Sequence, residues 1–360
     1  MALAIFLTFV FIVGAAVGSF LNVAIARLPF EKSLLWPNSR CGACLQAIRW
    51  YDNLPLFSYL VLRGRCRTCG QHYSITYFLV ELATALGFVG LFWMEVVQNV
   101  HGWPGGHFVR LGNLPWSSVL GFAWHAVLFS FLMVASVSDL RSREIPLQLT
   151  LTGTAIGLIG SALLPWPYPH MTGLVLPVPA PVSEAVFIHP RTVIVQGIYA
   201  WPFWGPLPSW AGEGSMVTGL MTGIAGAMVG TFLLRVIGFV FGKGLGKEAL
   251  GLGDADLMMM AGSFLGWQMV VVAFFLSVVP ALLFGIIQWV VRRDNTLPYG
   301  PSLSLSVMAT SLAWQPLGEA VRPFFFWRDL LAVAAVVCVG LLFVMAFLLR
   351  LIRRSEEPQL

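Results

Sequence analysis

Charge is what this sequence has least of. Asp, Glu, Lys and Arg make up 10% of its 360 residues, against about 25% in a soluble domain. That scarcity excludes an ordinary soluble globule. Acidic residues are the scarcer kind, 16 against 21 basic, for a formal net charge of +5. The surplus is not a nucleic-acid signature, because Lys and Arg lie between apolar runs, where the positive-inside rule puts them. No basic n-region precedes the first apolar run, and no clear small-residue cleavage site follows it. The run from Ala2 onward therefore reads as a retained first span, not a removed signal peptide. No internal repeat and no glycine-rich cofactor loop is recognisable. Cysteine is sparse, with five in the chain.

What fills the chain instead is apolar. Hydrophobic residues make up 58%, and mean hydropathy is +0.82. A membrane-crossing helix needs roughly 20 such residues. Candidate spans are 2–25, 76–97, 117–138, 147–165, 215–241, 255–267, 268–291, 301–317 and 328–350. The run 255–291 is long for one helix and short for two, with a break expected around Gly266 and Trp267. Ser, Thr and Gln dilute 301–317. The fold class is an all-α polytopic membrane protein of about eight to nine transmembrane helices. With the N-terminus outside, all but Arg110, Arg191, Arg322 and Arg328 of the 21 Lys and Arg residues fall in or beside cytoplasmic segments. That asymmetry sets the expected orientation. Residues 1–25 are then the first helix, 26–75 a cytoplasmic four-cysteine domain and 76–165 further spans. Residues 166–214 form an extracytoplasmic Pro/Trp-rich insertion, 215–317 more spans, and 318–360 an extra helix with a cytoplasmic tail.

Four cysteines form two C-x-x-C pairs, Cys41/Cys44 and Cys66/Cys69, separated by Leu45 to Arg65. Two thiolates on one tight turn reach one metal, and two such turns close a tetrahedral zinc site. Such a site is closed and structural, and folds a loop too poor in apolar residues to fold alone. The alternatives are two disulfides or a redox dithiol, which a reducing cytoplasm disfavours. His72 is a spare ligand candidate, and Cys338 reads as a packing residue. His101, His107, His170 and His189 are placed outside. His125 lies in a span and reads as packed and hydrogen-bonded.

Acidic residues near the spans are Glu81, Glu95, Asp139, Glu144, Asp254, Asp256 and Glu319. Topology sorts them. Asp139 ends the third span, and Asp254 starts the sixth on the same side. Two carboxylates meeting at one depth can share a proton and activate water, as in aspartic proteases. Gly251 and Gly253 allow close backbone approach and unusual dihedrals beside Asp254. The alternative is that both aspartates cap helices or face water.

These blocks resemble the bacterial type IV prepilin peptidases, the leader peptidase and N-methyltransferases of pilus and type II secretion systems. "GSFLNVAIARLP" (18–29) follows the first span. "SRCGAC" (39–44), "DNLPLFSYLVLRGRCRTCG" (52–70) and "YSITYFLVE" (73–81) resemble the zinc-bearing cytoplasmic domain. "SDLRSREIPLQLTL" (138–151) resembles the first catalytic block, with Asp139 ahead of Pro146. "GLGDADLMMMAGSFLGW" (251–267) resembles the second, the G-x-G-D block. "LPYGPSLSL" (297–305) resembles a loop near the active site. The resemblance implies that Asp139 and Asp254 are catalytic, with Gly251, Gly253, Pro146 and Asp256 in support. It implies cleavage of prepilins and pseudopilins after a Gly at the cytoplasmic face of the bacterial inner membrane. It also implies methylation of the new N-terminus with S-adenosylmethionine, for which the sequence shows no binding residues.

One departure stands inside the G-x-G-D block. The family often has Lys where this chain has Asp256, so a second anion would repel Asp254. A basic prepilin leader would look for anions, and Glu31, Asp52, Glu144, Glu248 and Asp256 are the local candidates, with solvated surface as their plainer reading. Two other functions stay open. One is a G-x-G-D protease of the presenilin or signal-peptide-peptidase type, which the cysteine quartet disfavours. The other is a transporter or scaffold in which an aspartate binds an ion or proton.

Overall fold

The computed structural model describes residues 2–101, 114, 116–164, 175–176, 194–195, 210, 215–245, 251–292, 298–326, 332–341, 343–345 and 347. Several sequence expectations lie outside these residues: most of the insertion 166–214, Lys247 and Glu248, the tail 348–360, and His107, His170 and His189. Within the insertion, Val175 and Leu176 pair antiparallel with Val195 and Ile194. The chain divides into two compact units, Met1–Leu149 and Thr150–Leu360.

The first unit is built on α1 (Ala2–Arg27), α3 (Thr76–Phe92) and α4 (Trp116–Ser142), with the short α2 (Phe57–Leu62) in the loop between α1 and α3. Gly14 and Gly18 recur four residues apart, so they share one face of α1. A Cβ at Gly14 would stand 2.9 Å from the Ala85 Cα, and one at Gly18 would stand 2.8 Å from the Glu81 Cα. Only small residues permit this approach, the usual solution where lipid removes the hydrophobic drive between helices. Asn22 Nδ2 donates to the Tyr77 carbonyl at 2.9 Å along the same seam. Phe88 and Phe92 of α3 pack edge-on against Phe122 of α4.

Beyond α5 (Leu147–Leu163), the second unit runs α6 (Met216–Leu245), α7 (Leu252–Leu265), α8 (Trp267–Leu276), α9 (Val278–Arg292), α10 (Gly300–Leu312) and α11 (Trp314–Phe326). A shorter apolar helix, α12, spans Ala332–Met345. Gly226 and Gly230 of α6 face Gly262 and Met258 of α7. A Cβ at Gly226 would come within 2.0 Å of the Gly262 carbonyl oxygen, and one at Gly230 within 2.2 Å of that of Met258. The break expected near Gly266 is present. Gly266 has φ +81°, a conformation open to glycine, and separates α7 from α8.

Among the described residues, five helical segments are long and apolar enough to cross a membrane: Ala2–Phe30, Thr76–Val97, Ser118–Ser142, Met216–Lys243 and Trp267–Gln288. The chain is thus a helical, multi-span protein. The nine expected spans include shorter pieces. Leu147–Leu163 is a 17-residue helix. The stretch 301–317 is divided between α10 and α11 near Ala313. Its Ser and Thr dilution has a physical reason, since Ser302, Ser304, Ser306, Thr310 and Ser311 are all buried.

Candidate active site and cysteine centre

The two C-x-x-C segments fold into the same turn twice. In the first, Leu45 N–H donates to the Cys41 carbonyl at 3.0 Å, and Cys41 N–H donates to that of Gln46 at 3.0 Å. In the second, Gly70 N–H donates to the Cys66 carbonyl at 2.9 Å, and Cys66 N–H donates to that of Gln71 at 2.9 Å. A bridge closes each turn, Arg40 with Ala47 and Arg65 with His72. The left-handed residue is Leu45 (φ 58°) in one and Gly70 (φ 70°) in the other. The two segments share Arg-Cys-x-x-Cys-x-Gln, Arg40 to Gln46 and Arg65 to Gln71, a match too short to mark an internal repeat by itself. The repeated feature is the backbone.

The turns bring the four thiols together. Their Sγ atoms all lie within 4.8 Å of one another, and Cys41 and Cys69 are 3.8 Å apart. Zinc–sulfur bonds of about 2.3 Å put the edge of a thiolate tetrahedron at roughly 3.8 Å. The 3.8 Å edge between Cys41 and Cys69 matches that spacing, so the quartet could hold a metal ion. All four cysteines are unbridged, which sets aside the disulfide alternative. Backbone N–H groups of Cys44 and Ala43 bring the Cys41 thiol down to about 6. Those of Cys69 and Thr68 lower Cys66, the equivalent position. Cys69 is lowered by the Gln71 N–H, but burial and its neighbouring thiols outweigh that and push it up to about 11. His72 is exposed and is not part of the cluster.

A polar tie attaches this domain to α3, and an ion pair braces it internally. Glu81 of α3 accepts a hydrogen bond from Leu56 N–H at 2.8 Å, holding Leu56 at φ 61°. Asp52 takes a bidentate contact from Arg67, at 2.6 and 2.9 Å. A cavity of about 1050 Å³ opens between the domain and the start of α3, with Asn22, Arg27, Arg49, Tyr59, Tyr77 and Glu81 among its walls.

The carboxylates expected to be catalytic lie in different units. Asp139 occupies the last turn of α4 and is buried, 7% exposed. Arg143 N–H donates to the Asp139 carbonyl at 3.0 Å, and Arg143 at φ 60° turns the chain out of the helix. Pro146 is buried and precedes α5, accepting from Leu149 N–H at 3.0 Å. Asp254 is in the first turn of α7, where the helix dipole favours an anion. Gly251 precedes the helix at φ −68° and ψ 143°. That geometry suits any residue, and Gly253 lies inside α7, so the expected unusual dihedral at Gly251 is corrected. A Cβ there would sit 3.5 Å from Asp254 Oδ2, an ordinary van der Waals contact, so space does not require glycine either.

Asp256 does not face Asp254 as a bare second anion. It is buried, and Arg235 of α6 donates to its Oδ1 at 3.1 Å. Of the anions considered for a basic leader, Asp52 and Asp256 are thus engaged by arginines. Tyr299, which sequence reasoning did not single out, belongs beside Asp254. Burial raises its phenol; a hydrogen bond with Ser277 lowers it, and the Asp254 charge adds to the rise. The only sequence signal for it was its place in "LPYGPSLSL".

Residues 12–95 match the bacterial peptidase A24 N-terminal domain, and residues 196–286 match the type IV leader peptidase family. The first match contains the quartet and the second contains Asp254. A prepilin leader peptidase/N-methyltransferase of Klebsiella pneumoniae is 31% identical over 72% of this chain and 86% of that protein. The chain belongs to the type IV leader peptidase family. A like-named protein of Pectobacterium carotovorum subsp. carotovorum is 29% identical over 82% of this chain and 88% of its own length. One from Myxococcus xanthus is 33% identical over 73% of this chain, which spans 57% of that relative. No solved structure matches the chain. Asp139 falls between the two matched segments.

Proposed function

We propose that this leader peptidase is an aspartic endopeptidase of the bacterial inner membrane. It removes the leader from type IV prepilins and pseudopilins at the cytoplasmic face, then methylates the new N-terminus with S-adenosylmethionine. The observation that carries the reading is Asp254, in the first turn of α7 and within the segment that matches the leader peptidase family. Relatives named for both activities support the methyl transfer.

In the proposed mechanism Asp139 and Asp254 act as one dyad holding one proton. The ionised carboxylate takes a proton from water, and the resulting hydroxide adds to the scissile Gly carbonyl. The protonated partner gives its proton to the leaving amine as the C–N bond breaks. The pair titrates as a unit, so neither aspartate has a fixed role as acid or base. Pro146 fixes the backbone at the start of α5, and Gly251 lies against the Asp254 carboxyl. Arg235 offsets the charge of Asp256, leaving Asp254 as the reactive carboxyl of its helix. Zinc in the cysteine quartet is structural, holding residues 26–75 folded beside the membrane. The full topology has eight to nine spans, an outside N-terminus, and the insertion 166–214 on the outer side.

The test is in-vitro processing of a purified prepilin, with and without S-adenosylmethionine, read by intact mass. Asp139→Asn and Asp254→Asn should each lower cleavage by at least about 100-fold while leaving the protein folded. Wild-type cleavage without donor, with one methyl added only when it is present, separates the two activities. Full processing by Asp254→Asn would sink the dyad.

A further inference from the structure

Glu95, His101 and His125 form a second cluster of ligand-type side chains, at the opposite end of α3 from the cysteines. Glu95 sits in a π-helical turn, Trp93–Val97, that continues α3. His101 follows that turn, and His125 comes from α4. Such turns are frequent at functional sites. The segment Thr76–Val97 has 22 residues, so its two ends are about 33 Å apart. That separation excludes any sharing of ligands with the quartet.

All three side chains are interior, with 0%, 1% and 1% exposed for Glu95, His101 and His125. Glu95 Oε1 lies 2.7 Å from His125 Nδ1 and 3.6 Å from His101 Nε2. One ligand-type atom from each residue lies within 4.8 Å of the other two. Glu95 Oε2 is buried and has no hydrogen-bond partner among the described residues. Its chain neighbours Val96 and Val97, and Phe92 one turn earlier, are buried in an apolar cluster. A buried carboxylate in such a place is costly unless a cation meets it. Two imidazoles and one carboxylate form the donor set that zinc-class ions take, with a fourth position left for water.

We propose that Glu95, His101 and His125 bind one divalent transition-metal ion of the zinc class, independently of the cysteine quartet. Zinc–nitrogen and zinc–oxygen bonds of about 2.0–2.1 Å put neighbouring ligands roughly 3.3 Å apart. The 3.6 Å between Glu95 and His101 suits that edge. The 2.7 Å contact to His125 is a hydrogen bond rather than a ligand edge. Metal entry displaces its proton, and the two atoms part by under about 1 Å. The bound ion ties the end of α3 to α4.

The experiment uses the full chain in detergent, loaded with Zn²⁺ or Co²⁺ and then desalted. Metal per chain is measured by elemental analysis, and Co²⁺ by absorption. The wild type should hold two ions. Glu95→Gln and His125→Ala should each hold one, with the thiolate-to-cobalt charge-transfer bands intact. A chain with all four quartet cysteines changed to serine should also hold one, showing only weaker ligand-field bands. The conservative Glu95→Asp should restore part of the second equivalent. A wild type that holds one ion, all of it bound by the quartet, overturns the site. So does a Glu95→Gln protein that still holds two. The wild-type stoichiometry decides the matter even where a variant fails to fold.

Discussion

The two units each join a pair of helices through glycines spaced four apart, but the two seams differ in closeness. In the first, a Cβ at Gly14 or Gly18 would meet α3 at the Ala85 or Glu81 Cα, 2.9 or 2.8 Å away. In the second, a Cβ at Gly226 or Gly230 would come within 2.0 or 2.2 Å of a carbonyl oxygen of α7, and Gly262 is the reciprocal case at 2.1 Å. The α1–α3 seam is also supported from the side, by Asn22 and Tyr77 and by the cysteine domain on Glu81. The α6–α7 seam is backbone against backbone over three glycines. The helix carrying Asp254 and Asp256 is thus seated by contacts that no larger residue can replace.

The largest effect should come from filling the tighter seam. Gly226→Leu or Gly262→Leu should cost more than about 4 kcal/mol, the range of severe overpacking, and leave little folded protein. Gly18→Ala should cost about 1–3 kcal/mol and still yield a folded chain. Detergent-solubilised yield and thermal melting rank the three. Equal tolerance of Gly18→Ala and Gly226→Leu would erase the distinction between the seams.

Next in size is loss of the quartet. Cys66→Ser, or a strong chelator, should release the metal and make residues 26–75 sensitive to protease. Helical content should change little, because the spans draw on their own packing. Structural zinc contributes many kcal/mol to domains of this kind, so the local effect should be near complete. Cleavage spreading into α1 and α3 would show that the first seam depends on the domain as well.

The quartet was legible in the sequence and the seams were not, for one reason. C-x-x-C is a local spacing, and its chemistry is fixed by the residues themselves. Gly226 against Gly262 is a contact between two helices, and nothing beside either glycine names its partner. The break at Gly266 was legible because a length limit on spans demanded one there. The number of spans was less so, because buried Ser and Thr in α10 look like dilution until a neighbour covers them. The placement of Asp254 at a helix start was legible through its G-x-G-D block, whereas Arg235, which engages Asp256 from α6, was hidden by its distance along the chain. His125 is buried and hydrogen-bonded as its place in a span suggested, but its partner Glu95, 30 residues away, was hidden in the same way.

A smaller effect should separate the two turns of the quartet. Leu45 and Gly70 hold equivalent left-handed positions, but a Cβ makes that conformation costly by about 1–2 kcal/mol. Leu45→Gly should therefore stabilise the domain by up to about 1 kcal/mol, and Gly70→Leu should destabilise it by a like amount. Chelator competition, followed as the rate of metal loss, reads both. The same rate for Leu45→Gly and wild type would mean that the turns are not equivalent in energy.

The smallest expected effect concerns the ion pair beside those turns. The Arg67 hydrogen bonds hold the Asp52 carboxyl below the ordinary carboxylate range, with burial opposing and the charges of Arg67 and Arg49 assisting. A carboxyl depressed on folding stabilises the fold above its unfolded value, about 3.9. That contribution disappears as pH falls through the lower folded value. Arg67 is 48% exposed, so solvent screens most of the attraction. Asp52→Asn should lower the melting temperature of the first unit by about 1–2 °C at pH 7, with the gap closing in acid. Arg67→Gln should give the same loss, and the double variant no more than either alone. A gap that persists well below the carboxylate range would assign the role of Asp52 to its place in the turn Trp50–Asn53 rather than to its charge. The first unit would then be held by backbone geometry, as the second is.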